Sequence, residues 1–298
     1  MVVGPTASGK SELAVKIARK YSGEIISADS RQVYSGLDIG SGKIAKREMR
    51  GVPHHLLSVA SPKRTFTVAH YQKLGRGAIK KILKKGKLPI ICGGTGLYID
   101  ALLQETIFPN VKPNLKLRQK LERLSTEQLF VRLKNLDSQR AEAIDQHNKR
   151  RLIRAIEIVL ATGSAVPSLQ HSNILQNVGM FAPVVIKIGI QLPREELKKR
   201  IRVRLFRRLK QGMVQEVRRL RKSGLSWERL DSFGLEYRYI SRYLRGLISK
   251  DEMMQTIEKE SSRYAKRQMT WWKRDKAIAW YPHTRAAERA VIIALAAD

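Results

Sequence analysis

The sequence predicts an α/β fold in which helices flank a parallel sheet, with an all-helical insertion. Three observations predict it. Short apolar runs alternate with helical patterns before residue 108, helical patterns without a strand pattern follow, and β-branched residues return near residue 184. Such alternation is typical of a parallel sheet covered on both faces. We therefore expect a first core segment at 1–108, a helical insertion at 109–182 and a second core segment at 183–298.

The first core segment contains three strand patterns separated by helices. The strands are expected to end at Val2–Val3, to cover Glu24–Ala28 and to cover Leu88–Cys92. Helices are expected over Lys10–Tyr21 and over Thr67–Lys85, the second of them closed by Gly86.

In the middle of the chain, Pro109 and Pro113 interrupt regular structure. Helical periodicity follows over Leu115–Leu124, Glu127–Leu136 and Arg151–Ala161. No strand pattern accompanies these helices, which is why the segment is predicted to be an insertion.

The second core segment begins with a β-branched strand pattern. The expected elements are a strand at Val184–Leu192, a long basic helix opened by Pro193, a helix from the capping box at Ser249 to about Trp272, a strand at Ala277–Tyr281 and a final helix.

The charge balance indicates a polyanionic partner. Lys and Arg total 58 against 26 acidic residues, which gives a formal charge of +32, and the excess is spread along the chain. A solvated basic surface is the alternative. No apolar run approaches the ~20 residues that a membrane helix needs, so we expect no membrane span.

The lone Cys92 excludes an intramolecular disulfide and a multi-cysteine zinc site, and it fits a reducing compartment. The first residues lack the pattern of a signal or transit peptide, so we expect a cytoplasmic protein. Nothing in the sequence suggests an oligomer, and we expect a monomer.

A phosphate-binding loop is the strongest local motif. Its eight residues fit G-x-x-x-x-G-K-[ST] between a strand and a helix: Gly4, Pro5, Thr6, Ala7, Ser8, Gly9, Lys10 and Ser11. Backbone N–H groups, the helix N-terminus and Lys10 would bind phosphate, and the Ser11 hydroxyl could ligate Mg²⁺. The core is therefore predicted to be P-loop NTPase-like. The loop does not distinguish ATP from a prenyl diphosphate.

Two further motifs follow predicted strands at the same sheet edge. Asp29 follows the second strand and is a candidate general base, although it could equally cap the next segment or bind Mg²⁺ through water. Gly93-Gly94-Thr95-Gly96 follows the third strand and would let the Thr95 hydroxyl approach a substrate, or could simply mark a turn.

Basic residues and a pair of histidines offer weaker signals. Arg200, Arg204 and Arg208 are spaced four apart and share a helix face, which could bind phosphate or be solvated. The adjacent His54 and His55 lack metal-ligand spacing, so we expect packing or hydrogen-bonding roles for them.

The motifs together resemble the tRNA dimethylallyltransferase family. The matching segments run nearly from end to end: Gly4–Ser11, Ser27–Ser30, Tyr34 with Asp38–Gly40, Pro53–Leu56, Gly93–Tyr98, Asn148–Arg154, Phe233–Arg238 and Ala265–Gln268. Their order and spacing are more specific than any single motif.

The resemblance implies transfer of dimethylallyl from its diphosphate to N6 of the adenine 3′ of the anticodon in tRNA, with Mg²⁺ as cofactor. It implies a general-base role for Asp29, orientation of the amine by Thr95, and stabilisation of the leaving diphosphate by Lys10 and Arg204. The helical insertion would grip the tRNA anticodon stem-loop.

The resemblance also implies tRNA contacts by motif position. The positions are Asp29, Ser30, Arg31, Gln32, Thr95, Arg118, Arg150, Arg151, Leu152, Ile153, Arg154, Gly234, Leu235, Glu236, Tyr237 and Arg238. Two departures are visible: Ser11 replaces the commoner Thr, and Ser58 stands where an Asp often follows the His-Leu segment.

Three other functions remain open at this point. The phosphate loop equally suits an ATP-dependent phosphotransferase. An enzyme that prenylates free adenine nucleotides would need neither the insertion nor the charge. An RNA-binding module with a vestigial loop would not depend on Asp29.

Overall fold

The structure is a computed structural model that describes residues 1–103, 108–109, 111–166 and 185–296. The parts of the expected insertion at 110 and 167–182, and Val184 of the expected strand, lie outside the described residues.

The core contains a six-stranded, fully parallel sheet in the order β3-β2-β4-β1-β5-β6. The strands are β1 Val2–Val3, β2 Glu24–Ala28, β3 His54–His55, β4 Pro89–Gly93, β5 Ile188–Ile190 and β6 Ala279–Tyr281. This confirms the predicted α/β class. The two-residue β3 is a strand that the sequence pattern did not indicate.

Helices follow the strands in the order expected of an α/β chain. In the core they are α1 Lys10–Lys20, α2 Lys46–Met49, α3 Val68–Lys84, α4 Gly96–Leu103, α9 Arg194–Lys210, α10 Met213–Lys222, α11 Trp227–Ser232, α12 Leu235–Leu244, α13 Lys250–Trp272 and α14 Thr284–Ala296. In the middle of the chain they are α5 Leu115–Glu122, α6 Thr126–Leu136, α7 Ser138–Ala143 and α8 Lys149–Thr162.

Local signals explain several helix ends. Ser249 accepts from Glu252 N–H and completes the predicted capping box of α13. Thr67 caps α3 in the same way. Gly86, with a φ of +66°, follows α3 where an L side chain would be strained. None of the described helices combines the length and apolar character needed to cross a membrane.

The two sheet faces bury separate cores because successive strand residues point to opposite sides. Ile26 and Ile91 belong to one cluster, which also contains Tyr71 of α3 and Trp272 of α13. Their neighbours Ile25 and Ile90 belong to the other cluster, which α1 and α14 cover. Burial of each Ile or Leu side chain contributes roughly 1.5–3 kcal/mol to the free energy of folding relative to an exposed one. Apolar packing therefore stabilises the sheet on both faces.

Contacts divide the chain into two compact units, Met1–Leu103 with Leu175–Asp298, and Gln104–Ile174. The second unit has its own core of leucine and isoleucine side chains from α5, α6 and α8. The boundaries at 109 and 182 stay a prediction.

The two adjacent histidines lie at the edge of the sheet and take part in hydrogen bonds. His55 Nε2 lies 2.7 Å from Glu24 Oε2, and His54 Nδ1 lies 2.9 Å from the Val52 carbonyl. Lys85 and Lys87 also donate to Glu24. These hydrogen bonds, first the one with His55, lower the pKa of Glu24 to about 2 although burial opposes the shift. The hydrogen-bonding interpretation of the histidines is therefore confirmed.

Candidate active site

A cavity of about 1470 Å³ opens where the neighbouring strands β2, β4 and β1 end. The loops after these strands supply Asp29, Gly93 and the phosphate loop to its wall. Parallel α/β sheets bind ligands at this edge because the loops of several strands converge there. The strand order thus brings Asp29 and the phosphate loop to one cavity, whereas Thr95 lies behind Ser30 and does not line it.

The phosphate loop has the backbone conformation that exposes its N–H groups. Ala7 and Gly9 have φ values of +65° and +92°, which turn the chain back toward the cavity. No side chain caps α1, so its first N–H groups stay open to an anion. Gly4 is sterically required, because a Cβ there would lie 2.8 Å from the Ile190 carbonyl oxygen.

Two cations beside the loop have no acidic partner. Within the described residues, neither Lys10 nor Arg204 forms an ion pair with a carboxylate. Lys10 Nζ donates to the Pro5 carbonyl at 3.1 Å, and Arg204 donates to the Thr6 hydroxyl at 3.4 Å. Burial lowers the pKa of both groups, and for Arg204 it falls to about 10, with the neighbouring Arg208 adding to the effect. Partly buried cations without a carboxylate partner favour an anionic ligand.

Ser8 adds an unsatisfied hydroxyl to the loop. Its side chain is buried, its Oγ has no partner in the structure, and it lines the cavity. Buried polar atoms are normally hydrogen-bonded, so an unpaired hydroxyl in a phosphate loop is a place for a ligand oxygen.

Asp29 lies at the end of β2 and uses one carboxylate oxygen as a cap. Its Oδ1 accepts from the N–H groups of Arg31 at 2.8 Å and Gln32 at 3.3 Å. In the part of the chain that the structure describes, Oδ2 has no partner, and Asp29 lines the cavity. The capping alternative is therefore present in one oxygen, while the other is available for chemistry. The general-base role stays a prediction.

The hydroxyl of Thr95 is held between two neighbours. Thr95 Oγ1 accepts from Ser30 N–H at 3.1 Å, and Thr95 N–H donates to the Ala28 carbonyl at 3.1 Å. These two bonds tie the Gly-Gly-Thr-Gly loop to the end of β2, close to Asp29. The second neighbour is the Tyr264 side chain, which lies beside the Thr95 hydroxyl. Burial raises the pKa of Tyr264 and nearby Asp29 adds to the rise, so its hydroxyl is neutral near pH 7.

The glycines of this loop allow close approach of α13. A Cβ on Gly94 would lie 2.1 Å from Gln268 Nε2, and one on Gly96 would lie 2.2 Å from the Trp271 ring. Gln268 in turn accepts from Thr6 N–H at 2.8 Å and donates to the Gly94 carbonyl at 2.9 Å. One buried side chain therefore joins the phosphate loop to the loop that carries Thr95.

The three arginines of α9 all line the cavity but have different partners. Arg200 pairs with Glu196, and Arg208 pairs with Glu236 while also donating to the Gly40 carbonyl. Among the residues that the structure describes, Arg204 alone of the three has no carboxylate within ion-pair distance. This difference favours Arg204 as the group that meets a ligand phosphate.

In the segment 234–238, three of the side chains predicted to bind tRNA already have hydrogen-bond partners within the protein. Tyr237 is buried, and its hydroxyl donates to Glu216 Oε1 at 2.8 Å. Glu236 pairs with Arg208, and Arg238 donates to the Asp231 carbonyl. Gly234, which precedes the half-buried Leu235, lies close to the Arg31 guanidinium, so the two core segments predicted to bind tRNA are neighbours. A tRNA contact by Tyr237 would have to use its backbone.

In the second unit, Glu157 organises two of the predicted tRNA-binding arginines. Arg118 and Arg154 both donate to its carboxylate, which also accepts from Asn114 N–H. Burial raises the pKa of Glu157, but these hydrogen bonds outweigh it and lower the pKa to about 2. About a third of each arginine side chain stays exposed.

The other residues of α8 that were predicted to bind tRNA lie partly on its exposed face and partly on its buried face. Arg150 and Arg151 are exposed. Leu152 and Ile153 are buried in the core of the unit, so their side chains support the helix and are not accessible to RNA. The prediction that they bind tRNA stands only for their backbone atoms.

The cavity as a whole is electropositive. Ten of its lining residues are Lys or Arg and five are Asp or Glu: Lys10, Lys43, Lys46, Arg47, Arg50, Lys199, Arg200, Arg204, Arg207 and Arg208 against Glu12, Asp29, Asp38, Glu48 and Glu196. A concave surface with this excess attracts a polyanion and would strengthen binding of both a diphosphate and RNA.

The sequence did not single out Ser8 within the loop, nor Gln268, Tyr264 or Glu216 as site residues. Gln268 and Glu216 carry one signal that could have found them. Each is a polar residue inside the buried stripe of a helix, with Ala265 and Trp272 flanking Gln268, and Met213 and Val217 flanking Glu216. Tyr264 carries no comparable signal.

The chain is similar to known proteins over most of its length. The sequence profile of the family described as IPP transferase matches residues 32–275. The tRNA dimethylallyltransferase of Anoxybacillus flavithermus is 40% identical over 288 residues, which cover 95% of this chain and 90% of that protein.

Solved structures agree with the sequence matches. The tRNA isopentenylpyrophosphate transferase of Bacillus halodurans is 34% identical with a TM-score of 0.68, over 94% of this chain and 88% of that one. The corresponding enzyme of Staphylococcus epidermidis is 32% identical with a TM-score of 0.69, over 99% and 97%. The chain therefore belongs to the IPP transferase family, the family of tRNA dimethylallyltransferases that its motifs resemble.

Proposed function

We propose that this protein transfers a dimethylallyl group from dimethylallyl diphosphate to N6 of the adenine 3′ of the anticodon in tRNA. The observation that carries the proposal is the cavity in which the phosphate loop, the unpaired Lys10 and Arg204, and the carboxylate of Asp29 meet. The names of the relatives support the substrates.

The diphosphate end of the donor suits the cationic side of the cavity. As the N6–C1 bond forms, the allylic C1–O bond breaks and its electron pair leaves with the diphosphate. Lys10, Arg204, the Ser8 hydroxyl and the open N–H groups of α1 would bind the oxygens on which this charge grows. Their partly buried positions make the attraction stronger than it would be in water.

The adenine amine would be placed beside Asp29, which lines the same cavity. The adenine N6 must lose a proton as it forms the new bond, and Asp29 Oδ2 is the available acceptor. Thr95 Oγ1 already accepts from Ser30 N–H, and a second lone pair can accept from N6 and orient it. The base must leave the loop stack to enter the cavity, which is easier in a single-stranded anticodon loop.

Mg²⁺ is proposed as the cofactor. The Ser11 hydroxyl and the Asp29 carboxylate give the cavity the hard oxygen donors that Mg²⁺ prefers. Among the described residues no cluster of three or more His, Cys, Asp or Glu side chains could hold a metal alone. Mg²⁺ would thus be held by Ser11 together with the donor's diphosphate oxygens, where it would neutralise charge on the leaving group.

Residues of each unit are proposed to contact tRNA. Asp29–Gln32 and Gly234–Arg238 would contact the anticodon loop, and Arg118 with Arg150–Arg154 would contact the stem-loop backbone. We further propose that the enzyme acts as a monomer in the cytoplasm. The lone, buried Cys92 agrees with a reducing compartment.

One assay tests the proposal. The protein is incubated with dimethylallyl diphosphate, Mg²⁺ and an unmodified tRNA, and the nucleosides are digested and weighed. Adenosine is expected to gain one dimethylallyl group, and a tRNA with inosine at the same position should gain nothing because it lacks the N6 amine. No gain on adenosine would refute the proposed activity.

The same assay separates the alternatives. Phosphoryl transfer from ATP would indicate a phosphotransferase, and modification of free adenine nucleotides would indicate a different acceptor. Asp29→Asn should slow product formation by roughly 10²–10⁴-fold while tRNA binding is retained. Unchanged activity in that variant would contradict the base role and leave the overall reaction standing.

A further inference from the structure

A buried glutamate outside the phosphate loop holds one wall of the cavity. Glu216 lies on α10, and its side chain is 3% exposed. Its Oε2 accepts from the N–H groups of Asp38 at 3.0 Å and Ile39 at 2.7 Å, and its Oε1 accepts from Gly40 N–H at 2.9 Å. Three successive backbone donors therefore converge on one carboxylate.

The fourth bond connects this carboxylate to α12. The Tyr237 hydroxyl donates to Glu216 Oε1 at 2.8 Å. The Tyr237 ring packs directly on the same loop, because a Cβ on Gly40 would lie 2.6 Å from its Cζ. Charge-assisted hydrogen bonds of this length are about twice as strong as neutral ones, so together they restrain the backbone of residues 38–40.

Glu216 holds the loop of residues 38–42, and this loop packs against Arg204 and its neighbour Arg208. The Gly40 carbonyl accepts from Arg208 at 2.9 Å, and Arg208 pairs with Glu236. Gly42 lies against Arg204, since a Cβ at Gly42 would come within 2.9 Å of the guanidinium. Residues Ile39, Ser41 and Gly42 line the cavity itself. A shift of the loop would therefore move the cation that faces the diphosphate.

We propose that Glu216 is a positioning residue for prenyl transfer, which fixes the 38–42 loop so that Arg204 and the cavity wall meet the donor's diphosphate. Glu216 lines no part of the cavity and acts through the loop. The inference rests on the proposed function. A change at Glu216 should therefore lower kcat/KM for dimethylallyl diphosphate and leave the Kd for RNA nearly unchanged.

The test compares four variants of the full chain with the wild type. Glu216→Gln retains the shape but loses the charge, and Tyr237→Phe removes one hydroxyl from the network. Glu258→Gln and Tyr243→Phe are the matched controls, because both residues lie outside the cavity and the network. Steady-state kinetics with dimethylallyl diphosphate and an anticodon stem-loop RNA give kcat and each KM, and fluorescence anisotropy gives the RNA Kd.

Glu216→Gln is expected to lower kcat/KM for dimethylallyl diphosphate roughly 10- to 100-fold, as loss of a charged buried hydrogen-bond acceptor should, with the RNA Kd changed less than about twofold. Tyr237→Phe should show the same pattern at roughly 3- to 10-fold. In both, the amide hydrogens of residues 38–40 should exchange faster than in the controls.

Wild-type kcat/KM in Glu216→Gln, or an equal loss of RNA affinity, would overturn the proposal. If Glu216→Gln does not fold, Tyr237→Phe decides in the same way, because the ring and its packing are kept. An inactive wild type would instead refute the proposed function, so the two failures are distinguishable.

Discussion

Replacement of Gln268 by methionine should break the connection between the two substrate-binding loops. The side chain is buried, accepts from Thr6 N–H and donates to the Gly94 carbonyl. Methionine has a similar length and no branching, so it fills the same space without either hydrogen bond. The perturbation is therefore confined to two backbone groups, one on each loop.

The magnitude follows from the two groups left unpaired. Each buried unsatisfied donor or acceptor costs about 1–3 kcal/mol, so Gln268→Met should lose about 2–6 kcal/mol of unfolding free energy. In a large domain that corresponds to a fall in Tm of roughly 4–24 °C. Because the distance between the diphosphate site and Thr95 is then less well fixed, kcat/KM should fall roughly 10- to 100-fold at temperatures where the variant is folded.

The control is Gln255→Met on the exposed side of the same helix. That change should alter the unfolding free energy by no more than about 0.5 kcal/mol, since surface substitutions away from special features are nearly neutral. Calorimetry gives Tm for both variants, and the prenylation assay gives kcat/KM. If Gln268→Met has the same Tm and the same kcat/KM as Gln255→Met, Gln268 does not join the two loops.

Three further changes test other parts of the structure. Gly42→Ala should lower kcat/KM for the donor by roughly tenfold, because its φ is +63° and the new Cβ would meet Arg204 at 2.9 Å; unchanged donor kinetics would contradict this. Because the folded-state pKa of Glu157 is depressed to about 2, its stabilising contribution is full above its ordinary value near 4.5 and is lost as the pH falls toward 2. Between these pH values, the Tm of the wild type should decrease more steeply with falling pH than the Tm of Glu157→Gln. The same pH dependence of Tm in both proteins would show that the ionised Glu157 does not stabilise the fold. Ser58→Asp should leave activity within about twofold, because Lys43 Nζ already donates to Ser58 Oγ at 2.8 Å and a carboxylate can accept the same bond; a large loss would show that the hydroxyl is required.

Local chain signals predicted the core strands other than β3 and the helices α1, α3, α9, α13 and α14, but not α2, α4, α10, α11 and α12. The phosphate loop, β2 and the capping box at Ser249 depend on neighbouring residues, so their positions follow from the sequence directly. The short α4 and α7 were missed for different reasons. The glycines before α4 resemble a turn, and α7 has only six residues over which a period could be recognised.

The tRNA-binding residues show where motif position is insufficient. A motif identifies a stretch of chain, but a helix exposes only some of its residues. In α8 the exposed Arg150 and Arg151 are followed by the buried Leu152 and Ile153. In α12 the Tyr237 side chain contacts Glu216. Helical periodicity applied to the same motifs would have separated the accessible side chains from the buried ones.

Positioning residues far along the chain are harder to predict, because their partners are set by tertiary structure. Gln268 is 262 residues from Thr6, and Glu216 is 176 residues from Gly40. Both, however, are polar residues placed where helical spacing demands burial, and a buried polar group is costly unless something pairs with it. In each case the pairing group is backbone of a loop that lines the cavity. In α10 and α13, the buried Glu216 and Gln268 thus each hold a loop that lies far away in the sequence, and the apolar stripe around each of them is visible in the amino-acid sequence.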